Sequence, residues 1–232
     1  MNRIDPDGRD YIITINRDKD GNITGIIFSA TVYITGDGAN PERAVELNAL
    51  AKKTYKSKEI NGVSVGFDVQ YKYDKEVTGI GDYGSEKVPY NSGINMLDLK
   101  NEKSDRKNGI DSNVQTEVEG SSPYHGSIYN SREKEISNYD IMHETMHFFG
   151  FDDRYNAKTF IYNIGYKNDI MGSRNLNINS SHYSTMYNNV MTYSEIQRGK
   201  YPYMKQLNNL YQSLRIPNPF LTTKYSKDTM IE

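Results

Sequence analysis

The sequence of 232 residues contains no cysteine and no tryptophan. The absence of cysteine excludes disulfide bonds and any zinc site that uses thiolate ligands. No run of about 18 apolar residues occurs, so no transmembrane helix is predicted. The formal net charge of -2 and the scattered Lys and Arg residues give no electrostatic reason to expect nucleic acid as a partner.

The first ten residues are polar and lack the apolar segment of a signal peptide. They include Asp5-Pro6-Asp7-Gly8, which is typical of a turn. We therefore interpret residues 1–10 as a linker or a segment derived from a larger carrier protein. If the protein acts outside its cell, we expect it to be secreted or delivered as part of that carrier.

The hydrophobic pattern predicts an α+β domain in which a twisted mixed sheet is backed by helices. Asn40 and Pro41 favour the start of a helix over residues 41–56. The polar stretch 100–130 predicts mostly long loops. Alternating apolar residues predict strands at 11–15, 26–34, 63–73 and 94–99, with an edge strand near 127–129.

Helices are predicted in the second half of the chain. An apolar stripe predicts a helix over residues 138–149, which Gly150 would end. Thr192 and Glu195 form a capping box, which predicts that a further helix begins there. Helical spacing of apolar residues then continues through 204–214.

The most informative segment is H-E-x-x-H-x-x-G-x-x-D, which begins at His143. On a helix, His143 and His147 lie one turn apart on the same face, so both imidazoles can reach one ion. Glu144 projects beside them and can take a proton from an attacking water. Gly150 tolerates the positive φ of a sharp turn, which would return Asp153 as a third ligand. Three protein ligands leave a position open for water, as in catalytic zinc sites.

The alternative is a buried helix whose two histidines satisfy hydrogen bonds in the core. With only 4 His in the chain, H-E-x-x-H would arise by chance in roughly 0.4% of such sequences, which favours the metal site. Asp152 is one residue short of the register, so Asp153 is the predicted ligand. The remaining histidines, His125 and His182, are expected in loops, where His125 could line a substrate cleft.

The extended motif resembles the metzincin clan of zinc peptidases, in the variant of the small bacterial snapalysin-like enzymes whose third ligand is Asp. The resemblance continues in Asp153-Arg154-Tyr155, similar to the D-x-Y of that group. Asp169-Ile170-Met171-Gly172 is similar to the Met-turn below the metal. The resemblance implies that Met171 supports the site without binding metal, and that Tyr155 lies near the substrate and assists catalysis.

A second Met-turn candidate is Met191-Thr192-Tyr193, which has the M-x-Y form of serralysin-like and astacin-like metzincins. We prefer Met171, because its short separation from Asp153 resembles the compact bacterial members. On that choice Tyr193 is a structural residue.

The resemblance implies a metzincin-like fold and a zinc metalloendopeptidase that binds one catalytic Zn²⁺ and acts on protein or peptide substrates. The catalytic domain would span 11–221, with an upper subdomain at 11–150 and a lower subdomain at 151–221, followed by a tail at 222–232. Two alternatives remain: an inactive binding module with the same fold, and a zinc hydrolase of a non-peptide amide.

A second resemblance concerns the start of the chain. Residues 2–8, N-R-I-D-P-D-G, resemble the N-x-x-D-P-x-G that ends the core module of bacterial RHS-repeat proteins and precedes a variable effector. This resemblance implies a toxin or effector domain, with a cognate inhibitor or immunity protein as a partner. We expect the chain to be a monomer.

Overall fold

The part of the chain that the structure describes folds into a mixed β-sheet and three helices. The computed structural model describes residues 11–79, 82, 85–87, 93–103, 105, 112–115, 125–130, 136–155, 161–173, 175–197 and 229–230, with only the backbone at 113–115, 193–197 and 229–230. In chain order the elements are β1 (Ile12–Arg17), β2 (Ile23–Thr35), α1 (Pro41–Thr54), β3 (Lys58–Ile60), β4 (Val63–Tyr73), β5 (Ile94–Lys103), β6 (Asn113–Gln115), β7 (His125–Asn130), α2 (Asn138–His147), α3 (Ser180–Gln197) and β8 (Thr229–Met230).

The strands follow the order β3-β4-β2-β5-β7-β6. The inner pairs β2/β4, β2/β5 and β5/β7 are parallel, whereas the outer strands β3 and β6 are antiparallel to their neighbours. β1 forms a hairpin with the first half of β2, through a turn where Gly21 has a φ of 82°. The predicted α+β class, with a mixed sheet backed by helices, is therefore confirmed.

Helix α1 makes the crossover that two parallel strands require, from the end of β2 towards β4. It begins where the sequence predicts, because Asn40 Oδ1 accepts a hydrogen bond from the Arg43 N–H at 2.7 Å. Its buried face packs on the sheet. The Asn48 side chain also bonds the N–H and the carbonyl of Tyr71 at 2.9 and 2.8 Å, which fixes α1 against β4.

An aromatic cluster joins the sheet to the segments that follow α2. The ring of Phe67 on β4 lies with its centroid 5.1 Å from that of Phe149 and 5.9 Å from that of Phe151. It also lies 5.2 Å from Tyr183 on α3. Edge contacts of this kind add to the burial of the rings, so β4 holds both the turn after α2 and the start of α3.

Helix α3 is the main correction to the predicted elements. It begins at Ser180, capped by Asn179 Oδ1, which accepts from the Ser181 N–H at 3.0 Å. The predicted start at Thr192 is wrong, because Thr192 lies inside the helix. Apolar contacts explain the difference: buried residues such as Tyr183 recur along this Ser- and Asn-rich stretch and hold the helix on the core. Residues 204–214 lie outside the described part.

The prediction of loops over 100–130 is wrong in part. β5 extends to Lys103. The strand predicted near 127–129 is present as β7 (His125–Asn130), but it lies between β5 and β6 and is therefore not an edge strand. His125 is consequently a strand residue and not a loop residue. Hydrogen bonding to two neighbouring strands compensates for the polar composition of β7. In the predicted tail, Thr229 and Met230 form β8 beside β1. None of the helices in the described ranges has the length and apolar composition to cross a bilayer.

Candidate metal centre

Helix α2 carries His143, Glu144 and His147. Buried hydroxyl groups hold the opposite face of the helix. It begins as predicted, with Ser137 Oγ accepting from the Tyr139 N–H at 3.1 Å, and it ends at His147, two residues before the predicted end. The Tyr71 hydroxyl donates to Thr145 Oγ1 at 2.9 Å. Because these groups are buried, a rotation of α2 would leave them unsatisfied. The face of α2 that carries His143 and His147 therefore has a fixed direction.

The chain reverses at Gly150, whose φ is 79°. The Gly150 N–H bonds the carbonyl of His147 at 2.8 Å, and the Arg154 N–H bonds the carbonyl of Met171 at 2.7 Å. A residue with a Cβ would be strained at this φ. The reversal brings Asp153 back alongside the last turn of α2.

The three predicted ligands meet at one point. Asp153 Oδ1 lies 3.0 Å from His143 Nε2 and 3.6 Å from His147 Nε2. Two ligand atoms at zinc distances in a tetrahedral array are separated by about 3.3 Å, and the observed distances bracket that value. Two imidazole nitrogens and a carboxylate oxygen are also donors that zinc binds readily, so these residues fit the ion that the motif predicts.

Main-chain carbonyl groups orient both imidazoles. His143 Nδ1 lies 2.7 Å from the Ile170 carbonyl oxygen, and His147 Nδ1 lies 2.6 Å from the Phe151 carbonyl oxygen. Because a carbonyl only accepts, each Nδ1 carries a proton and each Nε2 is directed towards Asp153. Metal-binding histidines are usually held by such outer hydrogen bonds.

The charges around the site favour a cation. Burial would lower the pKa of His143, but its hydrogen bond to Asp153 and the charge of Glu144 raise it to about 9. Burial and the neighbouring His143 lower the pKa of His147. Burial would raise the pKa of Asp153, yet the hydrogen bond from His143 leaves it lowered. The raised pKa of His143 thus shows that the neighbouring carboxylates favour positive charge at this position, as a metal ion would supply.

Glu144 is buried beside the ligands, with Oε2 at 3.8 Å from His147 Nε2. The donor atoms of His143, Glu144 and His147 all lie within 4.8 Å of one another, so Glu144 could itself be considered as a ligand. Asp153 Oδ1 lies 3.0 Å from His143 Nε2, and it is slightly closer than Glu144 to His147 Nε2, at 3.6 against 3.8 Å, which favours Asp153 as the ligand. Glu144 is then left at a distance suited to a proton acceptor next to the ion.

Tyr155 and Asp152 flank the third ligand differently. The Tyr155 ring centroid lies 6.1 Å from that of His143, and the Tyr155 hydroxyl bonds the Asp153 carboxylate. Asp152 and Asp153 are both exposed, and Asp153 is the one whose carboxylate lies 3.0 and 3.6 Å from the two histidines. The structure therefore brings Tyr155 to the ligands, and its catalytic role stays a prediction.

Met171 lies fully buried in a turn that contacts the ligands through its neighbour. The Met171 N–H donates to Asp169 Oδ1 at 2.8 Å, and the preceding carbonyl, that of Ile170, is the one that bonds His143. The competing candidate, Met191, lies inside α3 and not in a turn. Of the two sequences, only Asp169-Ile170-Met171-Gly172 forms a turn.

Two residues of this region were not identified from the sequence. The Tyr139 hydroxyl donates to the Ile170 carbonyl at 2.6 Å and lies 3.3 Å from His143 Nδ1. His182, expected in a loop, is buried in α3 with Nε2 3.0 Å from Asp169 Oδ1. The helical spacing of His182 with Met186 could have indicated a buried position.

Comparison with known proteins finds no matching family model, no similar curated protein and no similar solved structure. What the site can do therefore follows from the chemistry of its own side chains. Those side chains provide three converging donors, a buried carboxylate beside them, and a tyrosine hydroxyl on the third ligand.

Proposed function

We propose that the protein is a zinc-dependent endopeptidase that hydrolyses peptide bonds in proteins. One observation carries the proposal: Asp153 Oδ1 lies 3.0 and 3.6 Å from the Nε2 atoms of His143 and His147. Three protein ligands leave room for water or a substrate carbonyl, as in catalytic rather than structural zinc sites. Glu144 adds the proton acceptor that a purely structural site does not need.

Zinc bound by these residues would polarise the scissile carbonyl and lower the pKa of an attacking water. Glu144 accepts the proton of that water as its oxygen attacks the carbonyl carbon. The same carboxyl then gives the proton to the amine nitrogen as the carbon–nitrogen bond breaks. Burial of Glu144 beside His147 keeps it directed at this position.

Tyr155 has a supporting role in this proposal. Its hydroxyl donates to the Asp153 carboxylate, which holds that side chain in the direction of the two imidazoles. In the transition state the same hydroxyl proton would turn from Asp153 to the oxyanion that forms during attack. Removing it by Tyr155→Phe should therefore lower activity more than zinc content.

The metzincin resemblance extends the proposal to the fold and the biological setting. A mixed sheet, a helix bearing H-E-x-x-H, a turn at Gly150 and a buried turn at Met171 support this extension, which stays a proposal. Residues 2–8, which resemble a carrier module, lie outside the described part. Delivery as a toxin domain with an immunity partner is proposed on those residues alone.

The direct test is hydrolysis of denatured casein with and without a chelator, for the parent and two variants. Glu144→Gln should bind zinc and lose about 10²–10⁴-fold in turnover, the usual contribution of a general base. Glu46→Gln makes the same change on the exposed face of α1 and should match the parent. Full activity in Glu144→Gln would show that the base is assigned wrongly.

The remaining outcomes separate the alternatives. Zinc binding without hydrolysis of any protein would favour an inactive binding module. Chelator-sensitive hydrolysis of small amides but not of proteins would favour a non-peptide hydrolase. His147→Ala should lose the metal, and retention of one zinc per chain in that variant would refute the ligand set.

A further inference from the structure

A buried acid–base pair lies outside the proposed ligands. Asp169 has no exposed surface, and His182 is only 2% exposed. His182 Nε2 lies 3.0 Å from Asp169 Oδ1. Burying a charged carboxylate is costly unless it is paired and hydrogen-bonded, so this pair is held in a single arrangement.

The Asp169 carboxylate connects the turn at Met171 with the residues at the start of α3. Besides His182, its carboxylate accepts from the Met171 N–H at 2.8 Å and from the Asn179 N–H at 2.6 Å. Burial would raise the pKa of Asp169, but the hydrogen bond from His182 and the two N–H groups leave it lowered. The carboxylate thereby fixes the turn at Met171 to the first residues of α3.

Each of the two imidazoles is bonded by the carbonyl group of a residue that this pair adjoins or contacts. On one side, the residue after Asp169 is Ile170, whose carbonyl oxygen lies 2.7 Å from His143 Nδ1. On the other side, the His182 ring packs on the Phe151 ring with centroids 4.4 Å apart. The Phe151 carbonyl oxygen is the acceptor for His147 Nδ1 at 2.6 Å.

We propose that His182 and Asp169 are a positioning pair that sets the orientation of His143 and His147 and thereby the affinity for the metal. The inference rests on the proposed function, since zinc is the cation that these imidazoles would bind. His182 suits the position because one ring supplies two contacts: its N–H bonds Asp169, and the ring makes an edge contact with the Phe151 ring. A phenylalanine there would keep the second contact and lose the first.

The test measures the zinc dissociation constant by competition with a chromophoric chelator, together with the urea-unfolding stability of the metal-free protein. His182→Phe loosens the segments that carry the Ile170 and Phe151 carbonyl groups, and it should weaken zinc binding towards the about 10–100-fold that loss of such outer partners costs. His182→Gln restores a donor that can reach Asp169 and should recover part of the affinity. A His182→Phe affinity within about twofold of the parent would overturn the proposal. If His182→Phe does not fold, Asp169→Asn carries the same prediction, and parent-like affinity there overturns it.

Tyr183→Phe is the matched control. It alters the next residue of the same helix and removes a buried hydroxyl that donates to the Lys56 carbonyl at 2.6 Å. It should cost stability without contacting the turn at Met171, so its zinc affinity should equal that of the parent. An equal loss of affinity in Tyr183→Phe and His182→Phe would attribute the effect to general destabilisation and refute a positioning role.

The cobalt-loaded protein gives a second readout. If His182 positions the imidazoles, the visible absorption bands of bound Co²⁺ should shift in His182→Phe and not in Tyr183→Phe. The zinc content of the parent separates failure of the proposed function from failure of the positioning pair. If the parent binds no zinc, the proposed function fails; if it binds one zinc and His182→Phe binds it equally well, only the positioning pair fails.

Discussion

A single methyl group added at Gly172 tests how closely the chain packs around the turn at Met171. A Cβ on Gly172 would overlap the carbonyl oxygen of Tyr166 and would lie 2.6 Å from Tyr166 Cβ and 2.9 Å from its carbonyl carbon. Real Cβ atoms essentially never approach a neighbour within 3.0 Å. Because the oxygen and carbon belong to backbone, a change of rotamer cannot relieve the overlap, and the turn must move.

The expected cost follows from two opposing effects. Overpacking of this kind destabilises by about 1–3 kcal/mol, and rigid backbone neighbours put Gly172→Ala at the upper end. Replacing glycine by alanine also restricts the unfolded chain, which returns about 0.4–1 kcal/mol. A net loss of about 2 kcal/mol should lower the Tm by roughly 4–8 °C in a domain of this size.

The assay is thermal and urea unfolding of the metal-free protein, followed by zinc titration. Gly79→Ala is the control, because a Cβ there has no neighbour within 4 Å; it should match or slightly exceed the parent in stability. A shift of the turn should also move the Ile170 carbonyl away from His143, so Gly172→Ala should bind zinc more weakly. Parent-like stability in Gly172→Ala would refute the packing described for this turn.

Three further predictions concern the groups that hold the site. Tyr71→Phe removes the buried bond to Thr145 on the back of α2 and should cost about 1 kcal/mol in urea unfolding; no loss would mean that the hydroxyl does not hold the helix. Ser137→Ala removes the cap of α2 and should also cost about 1 kcal/mol, whereas Ser137→Thr keeps the hydroxyl and should cost less. Asp169 has a pKa below its ordinary 3.8, so its contribution to stability is present above that pH and is lost as the pH falls below it. The difference in free energy of unfolding between parent and Asp169→Asn, measured with chelator, should therefore shrink from pH about 5 to about 3; a constant difference would contradict the lowered pKa.

The sequence was enough to predict the helix starts, strands and turns that a few neighbouring residues determine. Asn40-Pro41 marks the start of α1, and the alternation over 63–73 coincides with β4. The reversal at Gly150 followed from its tolerance of positive φ. These features depend on residues close together in sequence, so a pattern of a few positions is enough to identify them.

The features that were missed depend on contacts between distant segments. The polar start of α3 forms because Tyr183 packs on Phe67 and His182 bonds Asp169. No local pattern reports such partners, and the capping box at Thr192 is a local signal that these contacts override. For the same reason β7 was predicted only as a short edge strand near 127–129, because its partners β5 and β6 supply what its composition lacks.

Within the site, the motif supplied the positions of His143, Glu144 and His147 on one helix. It could not supply the carbonyl groups that orient the imidazoles, because Ile170 lies 27 residues from His143. The choice of Asp153 over Asp152 depended on the shape of the turn after Gly150. The structure places Asp153 Oδ1 3.0 and 3.6 Å from the two Nε2 atoms.

The most direct measurement is the zinc dissociation constant of Asp153→Asn beside that of Asp152→Asn. The two variants remove one carboxylate charge each from adjacent positions, and only one of those carboxylates lies between the imidazoles. We expect Asp152→Asn to bind one zinc per chain as tightly as the parent, and Asp153→Asn to bind it at least about tenfold more weakly. Equal affinities in the two variants would contradict the convergence of His143, His147 and Asp153 on one cation.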